Sequence, residues 1–227
     1  MEAPPGGDRR QPPGNEAARH LQSAVAAFTA GDIDTAEAAF SEAERAADGA
    51  DDTATVAYNV GVFLRRTGRP ADAVARFDQA VAVRPSTAAW VERALALVEL
   101  GLAKDAAGSL DRALVLAPND GDARRARARV RFRLGDWAGC LDDLAAHGPN
   151  DADDALLLVR ALFEAGRADE AWALVRTIGG AAPNLAGDLL KATTRRARGG
   201  FALDERRLAV TLGLAPETPC DSPPAPR

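Results

Sequence analysis

Residues 68–85 read GRPADAVARFDQAVAVRP, and residues 101–118 read GLAKDAAGSLDRALVLAP. The two stretches align without a gap. Each begins on a glycine, Gly68 or Gly101, and ends on a proline, Pro85 or Pro118. Five positions after the glycine stands a small residue, Ala73 or Ala106, and nine after it a large apolar one, Phe77 or Leu110. Twelve after it comes Ala80 or Ala113. Steps of four and three keep these side chains on one face of an α-helix. The glycine supplies a turn conformation that residues with a Cβ resist. The proline ends the helix, because it lacks an N–H and disfavours helix in the residue before it.

The pattern extends outward in both directions. Equivalent glycines are Gly31, Gly135, Gly166 and Gly199, so the six stand at intervals of 37, 33, 34, 31 and 33 residues. The small position is Ala36, Cys140 and Ala171, with Asp204 as the exception. The large position is Phe40, Leu144, Val175 and Leu208, and Ala43 repeats the later alanine. Seven residues before each glycine sits Ala24, Gly61, Ala94, Ala128, Val159 or Ala192. Prolines recur at Pro183 and Pro216, and the fourth unit is about one turn short, ending at Pro149. New helices are expected to start on capping residues in Pro85-Ser86-Thr87, Pro118-Asn119-Asp120 and Pro149-Asn150-Asp151. A period of about 34 residues marks a stack of helical pairs, each burying its apolar face against the next.

The spacing resembles that of the tetratricopeptide repeat family, best over Ala54 to Asp120, where Trp90 falls at the family's early tryptophan position. The resemblance covers roughly residues 17 to 216. It implies an all-α fold, a right-handed α-α superhelical solenoid of about six helix-turn-helix repeats. The sixth, with Asp204 where packing demands alanine, is expected to be a C-terminal capping helix. Residues 1–16 and 217–227, rich in proline, glycine and charge, are expected to be disordered tails. The first tail has no apolar stretch of the kind a secretory signal needs.

Composition agrees with this reading. Hydrophobic residues make up 47% and aromatics 5%, so the core must be built from alanine, leucine and valine. The net charge of −5 gives no overall drive towards nucleic acid or an anionic membrane. No apolar run approaches the length of a membrane span. Cys140 occupies a core position and Cys220 a tail, which fits a reducing cytoplasm. The abundance of alanine, arginine, glycine, aspartate and proline suggests a high-GC bacterial genome.

The sequence shows no catalytic constellation. Nucleophile elbow, phosphate-binding loop and dinucleotide fingerprint are all missing. Neither histidine, His20 or His147, has ligand-spaced partners, so no metal or cofactor is expected. His147 reads as a helix C-terminal residue, and Asp151-Ala152-Asp153-Asp154 as the acidic start of a helix.

The resemblance implies a concave groove lined by the first helix of each repeat. Its candidate residues are Tyr58, Asn59, Val62 and Arg66 in the second repeat, with Glu92 and Leu95 in the third. Arg125, Arg129 and Arg133 follow in the fourth, then Leu157 and Arg160 in the fifth. Some members of the family grip a peptide's terminal carboxylate with lysine, asparagine and arginine. Here only Asn59 matches, and Leu21, Val25, Ala88 and Glu92 stand where the other contacts would be, so that role is not expected.

The fourth repeat carries the chain's one local oddity, RRARARVRFR at residues 124–133. Arg125, Arg129 and Arg133 share the groove stripe, while Arg124, Arg127 and Arg131 point where the family packs apolar residues. The inner stripe can pair with Asp111, Asp142 or Asp143 on neighbouring helices, its stems serving as apolar cover. The outer one can meet an acidic partner. With 26 arginines and two lysines, however, arginine carries nearly all positive charge throughout the chain.

The sequence thus points to a non-catalytic, cytoplasmic scaffold or adaptor that binds a partner peptide or helix in the groove. Two alternatives stand beside it: a polyanion or nucleic-acid binder acting through the fourth repeat, and an accessory subunit of an enzyme or secretion assembly.

Overall fold

The computed structural model describes residues 14–146, 148, 151–181 and 188. The prolines, helix and cap expected beyond residue 181, together with His147, Pro149, Cys220, residues 1–13 of the first tail and the second tail, lie outside the described residues. Among the described residues there are ten α-helices and no strand. They are α1 Gly14–Thr29, α2 Ile33–Ala46, α3 Ala50–Arg66, α4 Pro70–Val83, α5 Thr87–Glu99, α6 Ala103–Leu116, α7 Gly121–Leu134, α8 Trp137–Ala145, α9 Ala152–Glu164 and α10 Ala168–Ala181. Consecutive pairs form five helix-turn-helix repeats. The first helix opens at Gly14, within the stretch expected to be tail.

Each turn glycine among the described residues has a positive φ, from 77° at Gly101 and Gly166 to 83° at Gly31. At Gly68 a Cβ would meet nothing within 4 Å, so the backbone angle and not space demands glycine there. The turn closes with Gly68 N–H donating to Arg65 O at 3.1 Å and Arg69 N–H to Leu64 O at 2.8 Å. The caps fall as expected. Ser86 Oγ accepts from Ala89 N–H at 3.2 Å, Asp120 Oδ1 from Ala123 N–H at 2.9 Å, and Asp151 Oδ1 from Asp154 N–H at 2.8 Å. The short fourth repeat shows as a nine-residue α8, where α2, α4 and α6 each have fourteen residues.

The periodic positions form the core. The small positions Ala36, Ala73, Ala106, Cys140 and Ala171 are all fully buried. So are the large ones, Phe40, Phe77, Leu110, Leu144 and Val175. Gly61 in α3 lies against Phe77 in α4. A Cβ at residue 61 would stand 2.7 Å from Phe77 Cε1, closer than two carbons can pack. The second repeat therefore fits a phenyl ring by giving up a methyl opposite it, where the third pairs Ala94 with Leu110.

The chain forms two compact units that divide between Ala126 and Arg127, within α7. In the first, Phe63 stacks edge-on to Phe28 at 5.3 Å and packs against Phe40 at 4.9 Å. Trp90 lies against Val81 and Ala89 on one side and Ala113, Leu114 and Ala123 on the other. In the second, Ala128, Cys140, Leu141, Leu144, Ala161, Leu162 and Ala171 form the core. Edge-on ring pairs Phe132–Trp137 (4.9 Å) and Phe163–Trp172 (5.2 Å) flank it. No helix of the described residues is long and apolar enough to cross a membrane.

Candidate functional site

In the first unit the candidate residues lie along α3 and α5, the first helices of repeats two and three. Tyr58, Asn59, Val62 and Arg66 follow one another at near-helical spacing, so one side of α3 carries them all. Tyr58 is half-buried, with its ring centroid 6.2 Å from that of Phe77. Burial pushes its phenol above the usual range, and the negative charge of Glu92 adds to this against Arg66 and Arg65. Asn59 Nδ2 donates to Thr55 O at 2.8 Å, which fixes the amide along its own helix. Val62 is half-buried against the first core cluster, and Arg66 is exposed.

Glu92 is not available in the way the sequence suggested. Arg65 of α3 donates from Nε to Glu92 Oε2 at 2.9 Å and from Nη1 to Glu99 Oε1 at 2.7 Å. Burial works against the Arg65 charge, but the bonds to Glu99 and Glu92 outweigh it and raise its pKa. Arg65 thus ties one first helix to the next. The signal was present in the sequence as two glutamates seven apart, with a cation one repeat earlier. Leu95 lies half-buried on the same helix as Glu92.

Two depressions flank this region. One of about 160 Å³ lies between α3, α4 and α5, lined by Thr55, Tyr58, Arg84, Ser86 and four alanines. At its rim Arg84 donates to Asp51 Oδ1 at 3.1 Å and Thr55 Oγ1 at 3.2 Å. A larger one, about 450 Å³, lies between the second helices α2 and α4 over Phe40, Val60, Phe63 and Leu64. Its rim charges pair with each other, Arg69 with Glu37 at 2.9 Å and Arg76 with Glu44 at 2.7 Å. Its charges therefore make no demand on a ligand.

The arginines of α7 take five roles. Arg124 donates from Nε and Nη2 to Pro118 O, at 3.0 and 2.8 Å, and holds the preceding loop. Arg125 pairs with Asp122, and little of its side chain is exposed. Arg127 forks onto Asp143, Nε to Oδ2 at 2.9 Å and Nη2 to Oδ1 at 2.6 Å. Arg131 reaches the same carboxylate at 2.9 Å and also Gly139 O at 3.0 Å. Asp143, in α8, is buried. It is among the aspartates that the sequence opens to the inner stripe, and both arginines reach it. Arg129, expected on the groove, donates to Asp154 Oδ1 at 2.8 Å, and Asp154 is fully buried in α9. The acidic start of α9 therefore holds both a cap, Asp151, and an ion-pair acceptor, Asp154, which the sequence did not separate. Arg160 of α9 lies over the Phe132 ring, 4.7 Å from its centroid, and Leu157 packs against the second unit's core. Arg133 is exposed, with no hydrogen bond or ion pair among the described residues.

Cys140 lies beside this network. Burial, with Asp143 and Asp136 nearby and only Arg131 opposing, pushes its thiol up to about 12. A thiol of that kind is inert. In a Cys220→Ser background, thiol reagent at mildly alkaline pH should label the denatured chain and spare the folded one. The folded state also holds the Cys140 proton more tightly than the unfolded state, whose value is near 9.0. That contribution to stability is complete below this value and is lost as pH rises towards about 12. Wild type should therefore lose more stability across that window than Cys140→Ala, measured by urea unfolding. Equal losses would count against the assignment.

Among the described residues no group of three or more histidine, cysteine, aspartate or glutamate side chains is placed to hold a metal ion.

Comparison with known proteins gives a consistent picture. The sequence profile described as tetratricopeptide repeat matches residues 21–86, 64–121 and 91–139. Comparison with curated proteins finds no match. Among solved structures, a tetratricopeptide repeat protein from Parabacteroides merdae superposes with a TM-score of 0.71 at 17% identity, covering 87% of this chain and 80% of its own. YrrB, described as a TPR protein with an unusual peptide-binding site, gives a TM-score of 0.61 at 20% identity, covering 78% of this chain and 87% of its own. PilW, described as a type IV pilus biogenesis factor, gives 0.63 at 23% identity, covering 74% and 78%. At these identities the likeness is one of fold.

Proposed function

The chain belongs to the tetratricopeptide repeat family, and from that premise we propose that it is a non-catalytic scaffold binding a segment of a partner protein on its first-helix face. One observation carries the reading. On α3 and α5 the side chains Tyr58, Val62 and Leu95 stand half-buried, neither sunk into the core nor fully solvated, with the exposed Arg66 beside them. Aliphatic and aromatic side chains in that state gain by being covered. The family adds weight, because its fold makes surfaces rather than enclosed sites, and YrrB is described as having a peptide-binding site. The buried, unreactive Cys140 fits a reducing compartment such as the cytoplasm.

The test is affinity capture from the host's lysate, comparing wild type with a Val62→Gln, Leu95→Gln variant of matched melting temperature. A defined protein held by wild type and lost by the variant is the expected result. Capture of the same set by both would sink the reading.

A further inference from the structure

We infer that the first-helix face of the second unit takes an acidic peptide segment, recognised by the guanidinium groups of Arg129, Arg133 and Arg160. The inference rests on the scaffold reading and names the chemistry of what that scaffold holds. It begins with one position of the repeat. Six residues before the turn glycine the chain has Val25, Val62 and Leu95 in repeats one to three, then Arg129 and Arg160 in repeats four and five. A structural position that is aliphatic three times becomes guanidinium twice. The general preference for arginine over lysine does not produce that change, since the first three repeats share the preference.

The geometry shows that these arginines are held outward, not used up. Arg129 gives Nη2 to Asp154, yet its side chain remains 47% exposed. The bond anchors the group and leaves the rest of it facing solvent. Arg160 is laid over Phe132, which fixes the guanidinium on an apolar support. Arg133 stands exposed on the same helix as Arg129, one turn on, and has no partner among the described residues. By contrast Arg127 and Arg131, on the inner side of α7, are bound to the buried Asp143. One helix thus divides its cations between the fold and the surface.

Groups oriented in this way meet carboxylates well, since each fork can donate two parallel bonds. A continuous polyphosphate fits less well. Asp153 is exposed at the start of α9, and Glu164 lies near its end, so the face alternates in sign. The aromatic ring that would stack a base, Phe132, is already covered by Arg160. Discrete acidic side chains spaced along a peptide suit such a face.

The test uses the full chain and a fluorescent oligoglutamate peptide, with oligoglutamine and oligothymidylate as comparison probes. Binding is read by anisotropy at low and physiological salt. Oligoglutamate should bind wild type, weaken with salt, and lose affinity roughly fivefold in Arg133→Gln, Arg160→Gln, the scale of two exposed charge contacts. Arg129 is left intact, because removing it takes an ion-pair partner from the buried Asp154. Arg133→Gln alone, which breaks no contact among the described residues, serves where the double variant loses stability, and should weaken binding about twofold. Unchanged affinity in both variants overturns the inference, as does tighter binding of oligothymidylate or equal binding of oligoglutamine. The two readings can be told apart. If the Val62→Gln, Leu95→Gln variant loses its captured partner while oligoglutamate binds neither protein, the scaffold stands and the acidic ligand falls.

Discussion

Replacing Phe77 with alanine should lower unfolding stability by about 3–5 kcal/mol, the usual cost of emptying a fully buried phenylalanine site. Phe77 is 0% exposed, and its ring fills the space that the absent side chain of Gly61 leaves. A cavity there cannot be refilled from the Gly61 side. The converse change is the sharper probe. Gly61→Ala should gain about 1 kcal/mol of helix propensity and lose about 1–3 kcal/mol to overpacking. At 2.7 Å from a ring with nowhere to move, the loss should win. Combining Gly61→Ala with Phe77→Leu recreates the pairing of Ala94 with Leu110 in the next repeat. The double variant should therefore be more stable than Gly61→Ala alone. Urea unfolding of the set checks this, and a Gly61→Ala protein as stable as wild type would refute the account.

Asp143→Ala should cost about 3 kcal/mol, because it removes the buried carboxylate that two guanidinium groups share inside the second unit. Asp143 accepts three hydrogen bonds from Arg127 and Arg131, and its side chain is 2% exposed. The lower end of the range for a broken buried pair applies, since the arginines are 18% and 25% exposed and regain some water. Removing all three charges is a different matter. With Arg127→Met, Arg131→Met and Asp143→Leu together, the desolvation cost of the ions disappears along with their attraction, and most of the loss should be recovered. Thermal unfolding of the single and triple variants separates the two effects. A triple variant no better than Asp143→Ala would mean that α7 packs by shape, not by charge.

These two sites show what the sequence could and could not disclose. The helical pairs, their turns and their core positions were legible because a repeated fold states each rule several times. Gly68, Ala73, Phe77 and Ala80 mean little once, and much when Gly101, Ala106, Leu110 and Ala113 follow. Charge pairing obeys no such period. Nothing in the spacing separates Asp143 from Asp142, although α8 buries one and exposes the other. Arg129 and Arg133 lie one turn apart, yet only Arg129 meets a buried carboxylate, because α9 begins where it does. Arg65 was passed over because its partners stand on another helix, one repeat later. Partners that depend on a neighbour's register appear only when the neighbours are in place.

The ion pairs that join neighbouring repeats also bear on how such a chain can be rearranged by duplication or loss. Arg69 with Glu37 and Arg76 with Glu44 join repeats one and two. Arg65 with Glu92 and Glu99 joins two and three, and Arg129 with Asp154 joins four and five. No two of these junctions use the same positions. An ancestral array of identical units tolerates the gain or removal of a unit, since every new neighbour matches. In this chain, copying the fourth unit after itself would bring Arg129 against a helix lacking its carboxylate, since Ala123 stands at the position of Asp154. Ion pairs set at differing positions thus favour the units in their present order over a duplicated or shuffled one.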